Sequence, residues 1–71
     1  MSKLTEYSVI MAFQDPYSEV KEVTIAINTI RLEEHEVLDD ETKETAIDLI
    51  LESDSKLKRE HLKSTNFKLV E

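Results

Sequence analysis

Residues 15–38, DPYSEVKEVTIAINTIRLEEHEVL, decide between a helical fold and a sheet. Asp15 before Pro16 is a helix-start signal, because Asp can cap first-turn amides and Pro at the first helical position loses no needed donor. Apolar residues then recur at steps of 3, 4 and 3, as on one face of a helix. We expect a helix over 16–37 and expect its apolar seam to serve self-association. The seam consists of Val20, Val23, Ile27 and Ile30.

The same stretch also alternates as a strand does. Val23, Ile25 and Ile27 are separated by smaller or polar residues, and β-branched residues favour strands. A strand over 21–28 is therefore the competing interpretation. The helical interpretation is preferred because the seam spans more residues than the alternation, and long periodic segments are the safer predictions.

Two further segments are expected to be helical after residue 40. Residues 41–52, ETKETAIDLILE, carry a broad apolar arc, with Asp39 or Asp40 as the N-cap. Ser53, Asp54 and Ser55 all favour caps over helix interiors, so a break is expected there. A last helix then follows over 55–64.

The N-terminal stretch 3–14 fits either structure. As a helix it would end near Gln14, and this is the preferred prediction because the chain has no glycine for a tight hairpin. As a strand it would place alternate residues on one face. Those residues are Tyr7, Val9, Met11 and Phe13.

The predicted fold class is all-α, with residues 1–71 in a single domain. It is a small bundle of three to four helices built on an antiparallel helical hairpin, because a short polar connection joins 16–37 to 41–52. The alternative is an α+β fold packed on two helices. Its strands would lie at 5–13 and 67–70, with 21–28 as an optional third.

Length and charge narrow the class of protein. A chain of 71 residues buries only about 60% of its unfolded surface, and without cysteine it has no disulfide to stabilise it. We therefore expect a homo-oligomer. The N-terminus has no signal-peptide core, and no apolar run reaches the ~20 residues of a membrane helix. A cytoplasmic protein without membrane contact is expected.

The sequence offers no set of residues for catalysis. Without glycine it has neither a phosphate-binding loop nor a nucleophile elbow, and it has no cysteine nucleophile. Bundle metal sites use Glu three residues before His, but Leu32 precedes His35 and Lys58 precedes His61 at that spacing. We expect no catalytic residue, no cofactor and no metal, and hence no enzyme.

An acidic patch is the candidate binding site. The net charge is −7, and seven acids fall within residues 33–44. Capping and the helix dipole explain the acids that begin helix 41–52, but not those before it. We expect a small, acidic, non-enzymatic regulatory protein of inhibitor type that docks on a basic surface of a protein partner. The predicted contacts are Glu33, Glu34, Glu36, Asp39, Asp40 and Glu41.

Nucleic-acid binding is the alternative function. Helices 41–52 and 55–64 have the rough length of a helix-turn-helix, whose second helix would be the basic one. The candidate residues are Lys56, Arg59 and Lys63. The excess of acid elsewhere in the chain opposes a phosphate backbone, so nucleic acid is the less expected partner.

Overall fold

A three-stranded antiparallel sheet and one α-helix make up the computed structural model, which describes residues 3–70. The sheet has the strand order β2-β1-β3, so β1 is central and the other two strands are edges. In chain order the elements are β1 (Leu4–Phe13), β2 (Thr24–Glu33), α1 (Asp40–Ser53), a 3-10 turn (Arg59–His61) and β3 (Leu62–Leu69).

The apolar alternation of β1 gives the sheet two different faces. Val9, Met11 and Phe13 are buried, whereas the residues between them are only partly so. Residues opposite each other in antiparallel strands share a face. Val9 lies opposite Asn28 of β2 and Phe67 of β3, so these residues belong to the same side of the sheet.

Helix α1 covers that side of the sheet. Its buried residues Ile47 and Ile50 complete a core with Val9, Met11 and Phe13. The core is small, since among residues 3–70 only Val9 and Met11 have no exposed surface. Further apolar residues pack around it from both edge strands and the turn: Ala26, Ile30, Leu51, Leu57, Leu62 and Phe67.

The ends of α1 confirm the sequence prediction for this segment. Asp39 is the N-cap, and its side chain accepts a hydrogen bond from the Thr42 backbone amide at 2.8 Å. The helix ends at Ser53, and Asp54 has extended backbone angles. Polar side chains thus define both boundaries, because they satisfy or compete for backbone groups that the helix leaves free.

The all-α prediction is wrong, and with it the helical bundle and the helical hairpin. Residues 3–14 are largely β1, and 16–37 hold a loop followed by β2 instead of a helix. In place of the helix at 55–64 there is a short 3-10 turn and the start of β3. The α+β alternative is closer, but the described residues contain one α-helix where it expected two.

Strand pairing explains why the helical seam is not formed. Ile27 and Ile30 are an odd number of residues apart, so β2 places them on opposite faces of the sheet. Ile30 packs against the core and Ile27 is exposed. Val20 and Val23 precede the strand and are exposed as well. The use of these four residues in self-association stays a prediction, without its helical geometry.

The connection between β1 and β2 turns without left-handed backbone. Within residues 3–70 no residue has positive φ. The Asp15 carboxylate accepts from the Tyr17 amide at 2.9 Å, and the Ser18 hydroxyl accepts from the Val20 amide at 3.2 Å. After α1, Asp54 accepts from the Lys56 amide at 3.0 Å in the same way. Side-chain acceptors therefore stabilise these turns in the absence of glycine.

Candidate protein-binding surfaces

The outer edge of β2 is the least protected strand edge in the described part of the chain. From Thr24 to Ile30 it carries seven uncharged residues, TIAINTI, with neither proline nor glycine. By contrast, β3 carries Lys63 and Lys68, and its pairing with β1 shifts register at Ala12 and Phe13. Natural edges are guarded by lysine, proline or bulges. The β3 edge carries such protective features, and the run Thr24–Ile30 of β2 lacks them.

The sheet face opposite α1 is apolar beside β2. Ile10 lies opposite Ile27, and Ala12 lies opposite Ile25. Ile27 is 67% exposed and Ile25 is exposed as well. No described element covers this face. Toward the other end of β2 the face becomes charged, where Arg31 and Glu6 pair at 2.8 Å.

A shallow groove of about 490 Å³ runs between β2 and α1. Leu49 of the helix is 61% exposed beside it. Glu36 also borders the groove, so the apolar surface of the groove extends to one of the predicted acidic residues. The apolar side chains along the groove are Ile30, Leu32, Ala46, Leu49 and Ile50.

The predicted acidic residues run from the last residue of β2, through the segment that joins it to α1, into the first turn of α1, and all are exposed. We call this set the acidic corner: Glu33, Glu34, Glu36, Asp39, Asp40 and Glu41. Part of it has a structural role. The Glu36 carboxylate accepts from the Glu33 amide at 2.9 Å, and the Glu36 amide donates to the Glu33 carbonyl at 2.9 Å. Glu34, Asp40 and Glu41 use their carboxylates in no hydrogen bond or ion pair found within residues 3–70.

Hydrogen bonds to Thr42 lower the pKa of Asp39 below 3.8. The folded state therefore favours the carboxylate more than the unfolded state does. Its stabilising contribution is complete above pH 3.8 and is lost as the pH falls through the lower pKa of the folded state. Asp39 is fully exposed, so water moderates this contribution.

Asp39→Asn tests this pH dependence, because asparagine keeps a capping acceptor without a titrating group. We expect wild type to lose more stability than the variant when urea unfolding is measured at pH 7 and again below pH 3.8. Asp39→Ala should be less stable than both at pH 7. Parallel acid losses in wild type and Asp39→Asn would contradict the assignment.

The two histidines lie far apart in the chain and each faces one carboxylate. His35 Nδ1 is 3.5 Å from Glu33 Oε2, and His61 Nε2 is 3.8 Å from Asp15 Oδ1. Both distances exceed those of a normal hydrogen bond. Residues 3–70 contain no group of three or more potential metal ligands.

The basic residues of the alternative function do not lie on a recognition helix. Arg59 is in the 3-10 turn and Lys63 in β3, so the second helix of a helix-turn-helix is not formed. The Arg59 guanidinium instead pairs with two carboxylates of α1, Asp48 and Glu44, the latter at 3.5 Å. These exposed pairs tie the turn to the helix, each with a contribution of about 0–1 kcal/mol.

A pocket of about 580 Å³ lies between the β1–β2 connection and the turn after α1. Its walls mix both signs of charge, with Asp15 and Glu22 facing Lys56, Lys58 and His61. It is open to solvent, whereas acid–base chemistry needs a dry environment that separates two pKa values. The groove between β2 and α1 is the more apolar surface.

The acidic corner was predicted as a contact from the sequence and stays a prediction, whereas the β2 edge and the groove beside it were not predicted. Both follow from β2 being a strand. The signal was present in the alternation of Val23, Ile25 and Ile27, which the helical interpretation set aside. The wide apolar arc predicted for 41–52 was a second signal, since Leu49 lies on it and yet remains exposed.

Neither helical element within residues 3–70 is both long and apolar enough to cross a membrane. Comparison with protein-family models, with curated proteins and with solved structures found no match for this chain.

Proposed function

We propose that this protein is a small, non-enzymatic regulatory module of inhibitor type that binds a protein partner through its acidic corner. The observation that carries the proposal is the position of the corner. Its exposed carboxylates run from the end of β2 to the first turn of α1, the two elements that form the apolar groove, and Glu36 borders the groove itself. Exposed apolar surface rimmed by polar residues is typical of protein interaction sites.

The negative charge of the protein predicts a basic partner surface. The chain carries −7, and three carboxylates of the corner, Glu34, Asp40 and Glu41, make no ion pair within residues 3–70 and can pair with lysine or arginine of a partner. Such complementarity speeds association and selects partners more than it adds affinity. Binding should therefore weaken steeply with salt, because exposed charges are screened within about 10 Å at 0.1 M.

Exposed apolar side chains predict that the partner surface is also partly apolar. Val37, which lies between Glu36 and Asp39, and Leu49 beside the groove are both exposed. A partner segment with apolar side chains next to basic ones would bury Val37 and Leu49 and form ion pairs with the acidic corner at the same time. Burial of apolar area supplies affinity that exposed ion pairs alone do not. We place this module in the cytoplasm as part of the proposal.

Charge reversal at the corner tests the proposal. The probe is a set of extended peptides in which lysine or arginine alternates with leucine or phenylalanine. We expect the triple variant Glu34→Lys, Asp40→Lys, Glu41→Lys to bind the best peptide about tenfold more weakly at low salt, as three exposed ion pairs of about 0.2–1 kcal/mol each imply. Fluorescence anisotropy across a salt series measures both affinity and salt dependence.

A matched control distinguishes the effect of the acidic corner on binding from the effect of net charge. The variant Glu19→Lys, Glu22→Lys, Glu52→Lys changes three other exposed acids and reaches the same net charge. It should keep the wild-type affinity. Equal weakening in both triple variants, or none in either, would mean that the corner only keeps the protein in solution. Urea unfolding of each variant checks that the fold is retained.

A further inference from the structure

The uncharged run Thr24–Ile30 of β2 exposes a row of main-chain donors and acceptors along its outer edge. An edge of this kind is a template for another strand. The exposed apolar residues beside it, Ile25 and Ile27, continue the same surface. The molecule is also extended, at 51 × 21 × 19 Å, with a radius of gyration of 13.7 Å. A compact domain of this length has about 11 Å, so the single chain leaves much of its sheet uncovered.

We propose that a second copy of this chain covers this edge. The two β2 strands pair antiparallel about a twofold axis through Ile27, and the two sheets become one of six strands. Both α1 helices then lie on the same side of it, because the axis is perpendicular to the sheet. The interface is closed, since each copy uses the same strand.

The sequence of β2 selects this register. Ile27 is the central residue of the run, so with Ile27 on the axis all seven uncharged residues pair with the same seven of the second copy. Ile27 meets its own equivalent, and Ile25 meets Thr29. A shift by one residue would turn one sheet over. Its helix-covered face would then lie on the same side as the open face of the other sheet. Only shifts of two residues keep the faces matched.

Charge at the ends of the run supports the same register. Glu33 ends β2 six residues after Ile27, and the exposed Lys21 lies six residues before Ile27, outside the strand. In this register the Lys21 of each copy therefore comes near the Glu33 of the other. A shift of two residues in one direction brings Lys21 near Arg31 instead, and a shift in the other moves Arg31 from beside Val23 to a position opposite Ile25, inside the uncharged run. Like charges directly opposite each other are destabilising, and opposite charges are stabilising.

This pairing shares one residue with the acidic corner, Glu33, which the charge-reversal variants of the corner leave unchanged, so the two proposals can fail separately. It also differs from packing through the open sheet faces, where Ile10 and Ile27 of two copies would meet face to face. The two arrangements bury different residues. Ile27 is covered in both, whereas Ser64 of β3, opposite Ala12 on the open face, is covered only in the second.

Sedimentation equilibrium of three proteins tests the interface. Ile27→Lys sets two lysines opposite each other at the axis, and its site is exposed in the single chain. Ser64→Lys makes the same change in charge on the same face, away from the β2 edge. We expect wild type and Ser64→Lys to be dimers, and Ile27→Lys to dissociate at least tenfold more readily. A wild-type monomer, species larger than a dimer, a dimer unchanged by Ile27→Lys, or equal weakening by Ser64→Lys would overturn the proposal.

Single cysteines test the register, because the chain has none of its own. Opposite Cα atoms in an antiparallel pair are about 4.5–5.5 Å apart, within the range that a disulfide spans. Oxidised Ile27→Cys should therefore form a covalent dimer. Thr29→Cys should not, because its two copies would lie four residues apart along the strands, about 13 Å. The reverse result, or cross-linking of neither variant, would overturn the twofold axis at Ile27.

Discussion

Met11→Ala is expected to lower the free energy of unfolding by about 3 kcal/mol. Met11 lies in the central strand β1 and has no exposed surface. Truncation of a buried large side chain to alanine removes its transfer energy and leaves a cavity, for about 2–5 kcal/mol in total. A 71-residue domain has about 4–11 kcal/mol of stability. The urea midpoint should therefore fall by about 3 M if the unfolding slope is about 1 kcal/mol/M.

Leu4→Ala is the matched control, because Leu4 is in the same strand but 54% exposed. Its effect should stay within about 0.5 kcal/mol, as for most surface substitutions. Both variants and wild type are compared at one protein concentration, since association adds to apparent stability. Similar losses in the two variants would contradict the position of β1 at the centre of the core.

Ile50→Ala is expected to destabilise the protein by about 2–4 kcal/mol, and its neighbour Leu49→Ala by less than about 1 kcal/mol. Ile50 is 8% exposed and belongs to the core, whereas Leu49 points to the groove. The two residues are adjacent in α1, so helix propensity and position along the helix are closely matched. Urea unfolding of both variants measures the difference. A larger loss for Leu49→Ala would mean that α1 is rotated on the sheet.

The contrast between these two residues also shows what the sequence could predict. Periodicity identified α1, and capping chemistry placed its start at Asp39 or Asp40 and its end near Ser53, because these signals are local. The sequence did not show which part of the apolar arc of α1 is buried. That depends on the position of the helix over β1, and hence on contacts between residues distant in the chain.

β2 shows why the fold class was predicted wrongly. Val20, Val23, Ile27 and Ile30 match a helical period, and the strand alternation of the same stretch is shorter. Pairing with β1 decided the outcome, since each residue from Thr24 to Glu33 has a partner there. Such pairing is set by tertiary context, which overrides local periodicity. The residues of the acidic corner are close in sequence, so a short connection between β2 and α1 keeps them near one another whatever the fold, and their role in binding stays a prediction.

The negative φ angles of all residues from 3 to 70 have a consequence for the unfolded chain. Glycine broadens the range of conformations that a denatured chain can occupy, and this chain contains none. Its denatured ensemble is therefore narrower than that of a typical chain of equal length, and ordering each loop loses less conformational entropy. A small core can then suffice for folding. The β1–β2 connection and the turn after α1 therefore need no left-handed residue and depend instead on the side-chain acceptors of Asp15, Ser18 and Asp54.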